Sequence, residues 1–314
     1  MTGSAEAPGG SQASAVVSAR NLRALLLQHG IRLRKRYGQN FLVDPRALEV
    51  IVRALDPQPR HLVLEIGPGA GALTAALAAR AGRVVAVEVD TRLEPLLHHT
   101  LRGWGNVDLV WQDVLEVDLA ALAGPGALQA WHLEGVRVAA NLPYYITSPV
   151  LERLLKAPWP WERAVLTVQK EVAERLMAPA GSPDYSALGI LAQVYAQVER
   201  VAVLPPHCFW PPPDVHSAVV RLSRRSAPQV SADLAPVFFR VVRSAFQMRR
   251  KTLRNALLGS RELCLTPEEV DRALHRSGMD GGRRGETLTV QEFATLAAAL
   301  TSSQPPGAGI TGAL

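Results

Sequence analysis

From His61 onward, short apolar runs alternate with amphipathic stretches. HLVLEIG (61–67), RVVAVEVD (83–90), VDLVWQD (107–113), VRVAANL (136–142) and RAVLTVQ (163–169) read as strands. Between and after them, ALTAALAARAG (72–82), residues 93–101, SPVLERLLK and KEVAERLM read as helices. Continuous apolar strands joined by helical crossovers bury both faces only as a parallel sheet with helices packed over it, so the pattern predicts an α/β domain. YSALGILAQVYA (185–196) reads as a further helix and SAVVRLS (217–223) as a further strand of that domain. Beyond about Asp233 the period changes, and LAPVFFRVVRSAF, KTLRNALLG, TPEEVDRALHR and TVQEFATLAAAL all read as helices. Thr266 and Thr289 stand where helix N-caps belong, each with acidic residues following. The expected organisation is a flexible tail over 1–20, an α/β domain over 21–226, a small all-helical domain over 230–301, and a second tail over 302–314.

Length and composition set bounds on this frame. A chain of 314 residues, 48% hydrophobic, can bury a full core in one large domain and a smaller one. Cys208 and Cys264 are the only cysteines and show neither disulfide-framework nor metal-ligand spacing, so no metal is expected and a reducing cytoplasm is the expected location. No run of 18 apolar residues suggests a membrane span, and the N-terminus lacks the charged start and apolar core of a signal peptide.

Gly67, Gly69 and Gly71 sit in GPGAG between the first strand and its helix, where a ligand can approach the backbone. Alone this turn is a weak signal. With Ala72 and Glu88 it also satisfies the dinucleotide fingerprint, which leaves a nicotinamide dehydrogenase as a rival. Charge distinguishes the two readings. Glu65 ends the first strand beside the place where a pyrophosphate would lie, and its repulsion would be poorly screened in a cleft. S-adenosylmethionine would present an ammonium and a sulfonium there instead. Glu88 is placed to accept ribose hydroxyls, and Asp113 to accept from an adenine amine.

Asn141-Leu142-Pro143-Tyr144 closes the fourth strand on the same rim. An aromatic amine is a poor nucleophile because its lone pair is delocalised into the ring. An amide oxygen and a neighbouring backbone carbonyl that accept both N–H hydrogens would draw it toward tetrahedral geometry, and Pro143 would fix the turn that aims the carbonyl. Tyr144 would offer a face on which an extruded base stacks, worth about 1–3 kcal/mol. A sulfonium leaves as a neutral thioether, so the chemistry asks mainly for alignment and for no metal.

RKRYGQNFLVD (34–44), EIGPGAGALT (65–74), Glu88, Asp113, NLPYYITSPV (141–150), VQKEVAERL (168–176), FWPPPDVHSAVVRL (209–222) and QMRRKTLRNAL (247–257) occur in this order. Together they resemble the ribosomal RNA adenine N6,N6-dimethyltransferase family, most of all its members that dimethylate two adjacent adenosines near the 3′ end of 16S RNA. The resemblance runs from about residue 32 to 300. It implies a Rossmann-like class I methyltransferase domain with a small C-terminal all-helical domain, S-adenosylmethionine as cofactor, and a monomer acting on 16S rRNA in the small ribosomal subunit or its precursor, away from membranes. It further implies that Gln39, Asn40 and Leu42 join Gly67, Glu88, Asp113 and Asn141 around the cofactor, and that Phe209 pairs with Tyr144 about the target adenine. Two features depart from the family pattern: YSALGIL (185–191) stands where a Tyr-Gly pair followed by Leu-Ser is usual, and bulky Trp210 beside Phe209 would narrow the base pocket.

The net charge is +6, and placement matters more than size. Between 206 and 314, Lys and Arg number 14 against 9 Asp and Glu, so most of the excess lies in the last third. Arg32, Arg34, Lys35 and Arg36, with Arg249, Arg250, Lys251 and Arg254, are the expected contacts to RNA phosphates. Alternatives within this frame are a large-subunit RNA methyltransferase of the macrolide-resistance type and a non-catalytic ribosome-assembly factor on the same scaffold.

Overall fold

The computed structural model describes residues 18–33, 38–156 and 159–301. Helix α1 (Ala19–Gln28) is capped by Ser18, whose Oγ accepts the Asn21 N–H. Residues 18–20, read from sequence as the end of a tail, therefore begin a helix; the rest of that tail and the whole of 302–314 lie outside the described residues. A two-residue strand β1 (Phe41–Leu42) leads into α2 (Pro45–Leu55), where Asp44 Oδ1 accepts the N–H groups of Arg46 and Ala47. The alternating region then follows: β2 (His61–Ile66), α3 (Ala72–Ala78), β3 (Arg83–Glu88), α4 (Glu94–Thr100), β4 (Val107–Trp111), α5 (Leu119–Ala123), α6 (Pro125–Ala130), β5 (Gly135–Asn141), α7 (Thr147–Lys156), β6 (Trp161–Gln169) and α8 (Lys170–Met177). After α9 (Ala187–Tyr195) come β7 (Ala196–Leu204), the two-residue β8 (Phe209–Trp210) and β9 (Ser217–Arg224).

The main sheet has the order β4-β3-β2-β5-β6-β9-β7. β2 through β6 pair in parallel, and β9 runs antiparallel to β6. Every residue of β2 and all but the last of β5 are buried, as strands sandwiched between helix layers must be. The order reverses at β2, whose neighbours are β3 and β5, so the crevice beyond their C-terminal ends is the place where such sheets bind ligands. Three strands lay outside the sequence reading: the edge strand β7 and the antiparallel pair β1–β8, with Phe41 opposite Trp210 and Leu42 opposite Phe209.

Two compact units result, one of residues 1–173 and 197–224, the other of 174–196 and 225–314. This differs from the expected boundary near 226–230, because α9 clusters with the C-terminal helices α10 (Ala235–Gln247), α11 (Leu253–Leu258), α12 (Pro267–Ser277) and α13 (Val290–Thr301). Aromatic packing explains the difference: the Tyr195 ring stacks on Phe239 at 6.0 Å, and Tyr185 meets Phe246 edge-on at 5.8 Å. Thr266 and Glu269 form the capping box at α12. Thr289 and Glu292 do the same at α13, where the Thr289 N–H donates to Glu292 Oε2 at 2.8 Å and the Glu292 N–H donates to Thr289 Oγ1 at 3.2 Å.

Glu292 also pairs with Arg283 at 2.5 Å, and that bond together with the Thr289 cap pulls its carboxyl down to about 2. A depressed acid stabilises the fold fully above its unfolded value of 4.5 and loses that contribution as pH falls toward about 2. Glu292→Gln should therefore lower Tm at neutral pH and flatten the acid loss across that window in thermal melts. Parallel Tm-against-pH curves for variant and wild type would contradict this.

Candidate active site

A cavity of about 290 Å³ opens at the C-terminal ends of β2, β3 and β5, within the α/β unit. Gln39, Asn40, Gly67, Gly69, Glu88, Asp113, Asn141, Leu142, Pro143, Tyr144 and Phe209 all line it. A smaller adjoining cavity of about 30 Å³ shares Gly67, Gly69 and Asn141 and adds Glu65 and Leu42. The structure thus gathers these sequence-selected residues around two spaces that share lining residues. Gly71 lines neither. With φ at +85° it caps α3, and a Cβ there would meet Thr100 Oγ1 at 2.7 Å, so its smallness serves helix packing.

The turn itself is built on left-handed backbone. Gly67 has φ +71° and Gly69 φ +57°, and a Cβ on Gly69 would lie 2.8 Å from the Phe41 ring. The β1 segment therefore closes directly over the glycine loop. From that segment comes a contact that sequence reading missed: Asn141 Nδ2 donates to the Asn40 carbonyl at 2.8 Å. The bond occupies the amide's donor end, which leaves Oδ1 as the free acceptor.

The acidic residues differ in their surroundings. Glu65 is 1% exposed, and its Oε2 is buried without a hydrogen-bond partner among the described residues. Burial, with the Glu88 charge adding, pushes its carboxyl up to about 8. Glu88, also buried, accepts the N–H groups of Gly69, Val89 and Asp90, yet burial still holds its carboxyl above the ordinary range. Asp113 lies two residues past the end of β4, not in the strand as expected, and its Oδ1 accepts the Leu115 N–H at 2.8 Å. Gln39 is held from behind by Asp90, which accepts from its Nε2 at 2.9 Å and pairs with Arg92. None of the described residues lining either cavity is Lys or Arg. Buried acids with no lysine or arginine counter-charge on the cavity walls favour a cation and oppose a phosphate. A phosphate would therefore find no cationic side chain among the described lining residues.

Tyr144 stands in a single 3₁₀ turn after β5, its hydroxyl 3.2 Å from Ser217 Oγ, and burial keeps its phenol above the ordinary value and so neutral. Phe209 faces the same cavity from β8 while its ring is packed into the core. Trp210 does not line the space; its ring lies 5.2 Å from the Arg23 guanidinium, so the expected narrowing of the base pocket is absent. Tyr145 belongs to the same motif, which by itself assigns it no role. It lines the cavity while 58% exposed, and so forms part of the mouth.

The basic residues divide. Arg34, Lys35 and Arg36 lie outside the described residues, and Arg32 is exposed. Within the helical unit, Arg249 pairs with Glu286 at 2.5 Å and Arg254 with both oxygens of Asp271, at 2.6 and 2.8 Å. Those two expected phosphate contacts thus have acidic partners in this structure. Arg250 and Lys251 are exposed and have no ion-pair partner among the described residues.

Comparison with known proteins follows the same lines. The ribosomal RNA adenine dimethylase family profile matches residues 30–301. The chain is 47% identical over 284 residues to ribosomal RNA small subunit methyltransferase A of Pelotomaculum thermopropionicum, covering 90% of this chain and 96% of that one. It is 43% identical over 291 residues to the protein of the same name from Alkaliphilus metalliredigens, covering 92% and 99%. Among solved structures, the 23S rRNA methyltransferase ErmE superposes with a TM-score of 0.62 at 28% identity, covering 83% of this chain and all of that one. A dimethyladenosine transferase from Plasmodium falciparum shares the fold with a TM-score of 0.69 at 24% identity, covering 82% and 96%. The chain belongs to the ribosomal RNA adenine dimethylase family.

Proposed function

We propose that this protein transfers methyl groups from S-adenosylmethionine to N6 of two adjacent adenosines near the 3′ end of 16S rRNA, in the small ribosomal subunit or its precursor. The observation that carries this reading is the meeting, in one cavity with no lysine or arginine among its described lining residues, of Glu88 and Asp113 with an Asn141 amide whose donor end is already spent on Asn40. The small-subunit assignment is further supported by the 43–47% identity to relatives named small subunit methyltransferase A.

The bound cofactor supplies a methyl group on a sulfonium, which leaves as a neutral thioether. The residues of the chain do the rest by binding and alignment. Glu65, Glu88 and Asp113 suit an ammonium, ribose hydroxyls and an exocyclic amine in turn. Asn141 Oδ1 and the carbonyl of Leu142 accept from the target amine, and Pro143 fixes the turn between them. Tyr144 and Phe209 flank the base. Gln39, Asn40 and Leu42 close the β1 side. At each transfer the displaced N6 proton passes to solvent, so two transfers per adenosine fit a mechanism that demands no metal and no strong general base.

The direct test is methyl transfer from labelled S-adenosylmethionine to small-subunit particles lacking the modification, with large-subunit RNA in parallel and the product nucleosides identified. Label in N6,N6-dimethyladenosine on the small subunit alone is expected. Label on large-subunit RNA alone would favour activity like that of ErmE, and no label on either would favour an assembly factor. RNA binding provides a second test. With Arg249 and Arg254 paired, Arg250 and Lys251 carry the free charge of their run, so reversing both to Glu should weaken RNA binding and reduce the salt slope by about two. An unchanged affinity and slope would make that run an ordinary solvated surface.

A further inference from the structure

Outside the cavity, the described residues hold a cluster of Asp44, His207 and Cys208 whose donor atoms all lie within 4.8 Å of one another. The short β1–β8 ribbon builds it. Phe41 lies opposite Trp210 and Leu42 opposite Phe209, and the pairing continues outward through the Val43 N–H donating to the Cys208 carbonyl at 2.9 Å. That rung brings Asp44, at the start of α2, against the Pro206–Cys208 turn. Asp44 is fixed there by its capping role, in which Oδ1 takes both backbone N–H groups and Oδ2 takes neither.

We propose that Asp44, His207 and Cys208 bind a divalent transition cation of the zinc type, with one further position open to water. A thiolate, an imidazole and a carboxylate together suit zinc or cobalt, whereas magnesium and calcium take oxygen ligands. As the sulfur–metal bond forms, the Cys208 thiol proton passes to solvent, with no change of oxidation state. Cys208 is buried and His207 exposed, so the ion has a route of entry and the thiolate a dry side. The cation would tie the outer end of a ribbon whose inner residues, Phe41 and Phe209, wall the cavity. The sequence concealed this site because Asp44 is remote along the chain and His207-Cys208 alone has no ligand spacing.

Cobalt(II) titration of the full chain in a Cys264→Ser background tests the proposal, since that substitution removes the other, exposed thiol. One equivalent should produce a thiolate-to-cobalt charge-transfer band with tetrahedral d–d bands, both displaced by zinc. Cys208→Ser should abolish the charge-transfer band. His207→Ala should weaken cobalt binding by about tenfold or more, the scale reached even by losing a ligand's hydrogen-bond partner, while leaving metal-free methyl transfer unchanged. Should Cys208→Ser fail to fold, the exposed His207 variant decides alone. Absence of the band in the parent chain, or an identical titration in His207→Ala, would overturn the site.

Discussion

The hydrogen bond from Asn141 Nδ2 to the Asn40 carbonyl joins the end of a central strand to a segment about a hundred residues earlier in the chain, and the site is organised around it. A free Asn side chain can present either its oxygen or its nitrogen to a ligand. Here the carbonyl takes the nitrogen end, so the acceptor is presented without an energetic choice at the moment of binding. The bond requires the β1 segment to lie close over the glycine loop. Gly69 permits this, since a Cβ there would collide with Phe41. The permissive backbone of the loop thus serves two approaches, that of a ligand and that of the neighbouring chain.

Electrostatics then select what can enter. Burying Glu65 and Glu88 costs free energy in proportion to their charge, and both carboxyls respond by holding their protons more tightly than in water. Glu88 is partly compensated by three backbone N–H groups, whereas Glu65 Oε2 has no protein partner among the described residues. A cationic ligand would supply the partner that Glu65 Oε2 lacks. The described lining residues also offer a pyrophosphate no lysine or arginine, so a glycine turn shared with dinucleotide enzymes suits a different ligand here.

What could be read from the sequence follows the range of the forces involved. The parallel strands were legible because burial on both faces leaves unbroken apolar runs, and the crevice because Glu65, Glu88 and Asn141 stand at or near the ends of such runs. The caps at Thr266 and Thr289 were legible because their bonds are local. The β1–β8 ribbon was not: two residues per strand carry no alternation, and the pairing joins distant segments. Nor could charge counting show that Arg249 and Arg254 are engaged by Glu286 and Asp271, or periodicity show that α9 packs through Tyr185 and Tyr195 on the C-terminal helices. Gly71 was grouped with its neighbours by motif, although its contacts place it in helix packing.

We propose that a neutral, oriented amide at 141 aligns the reacting amine. Single-turnover methyl transfer by Asn141→Ala and Asn141→Asp, with cofactor affinity measured alongside, tests it most directly. Both variants should fold, retain cofactor binding within about tenfold, and lose about 10²–10³ or more in the transfer rate, the scale of losing a positioned polar group. Asn141→Asp should fare no better than Asn141→Ala, since a carboxylate can neither donate to the Asn40 carbonyl nor present a neutral acceptor. Transfer at the wild-type rate by either variant would rule out an aligning role for the amide.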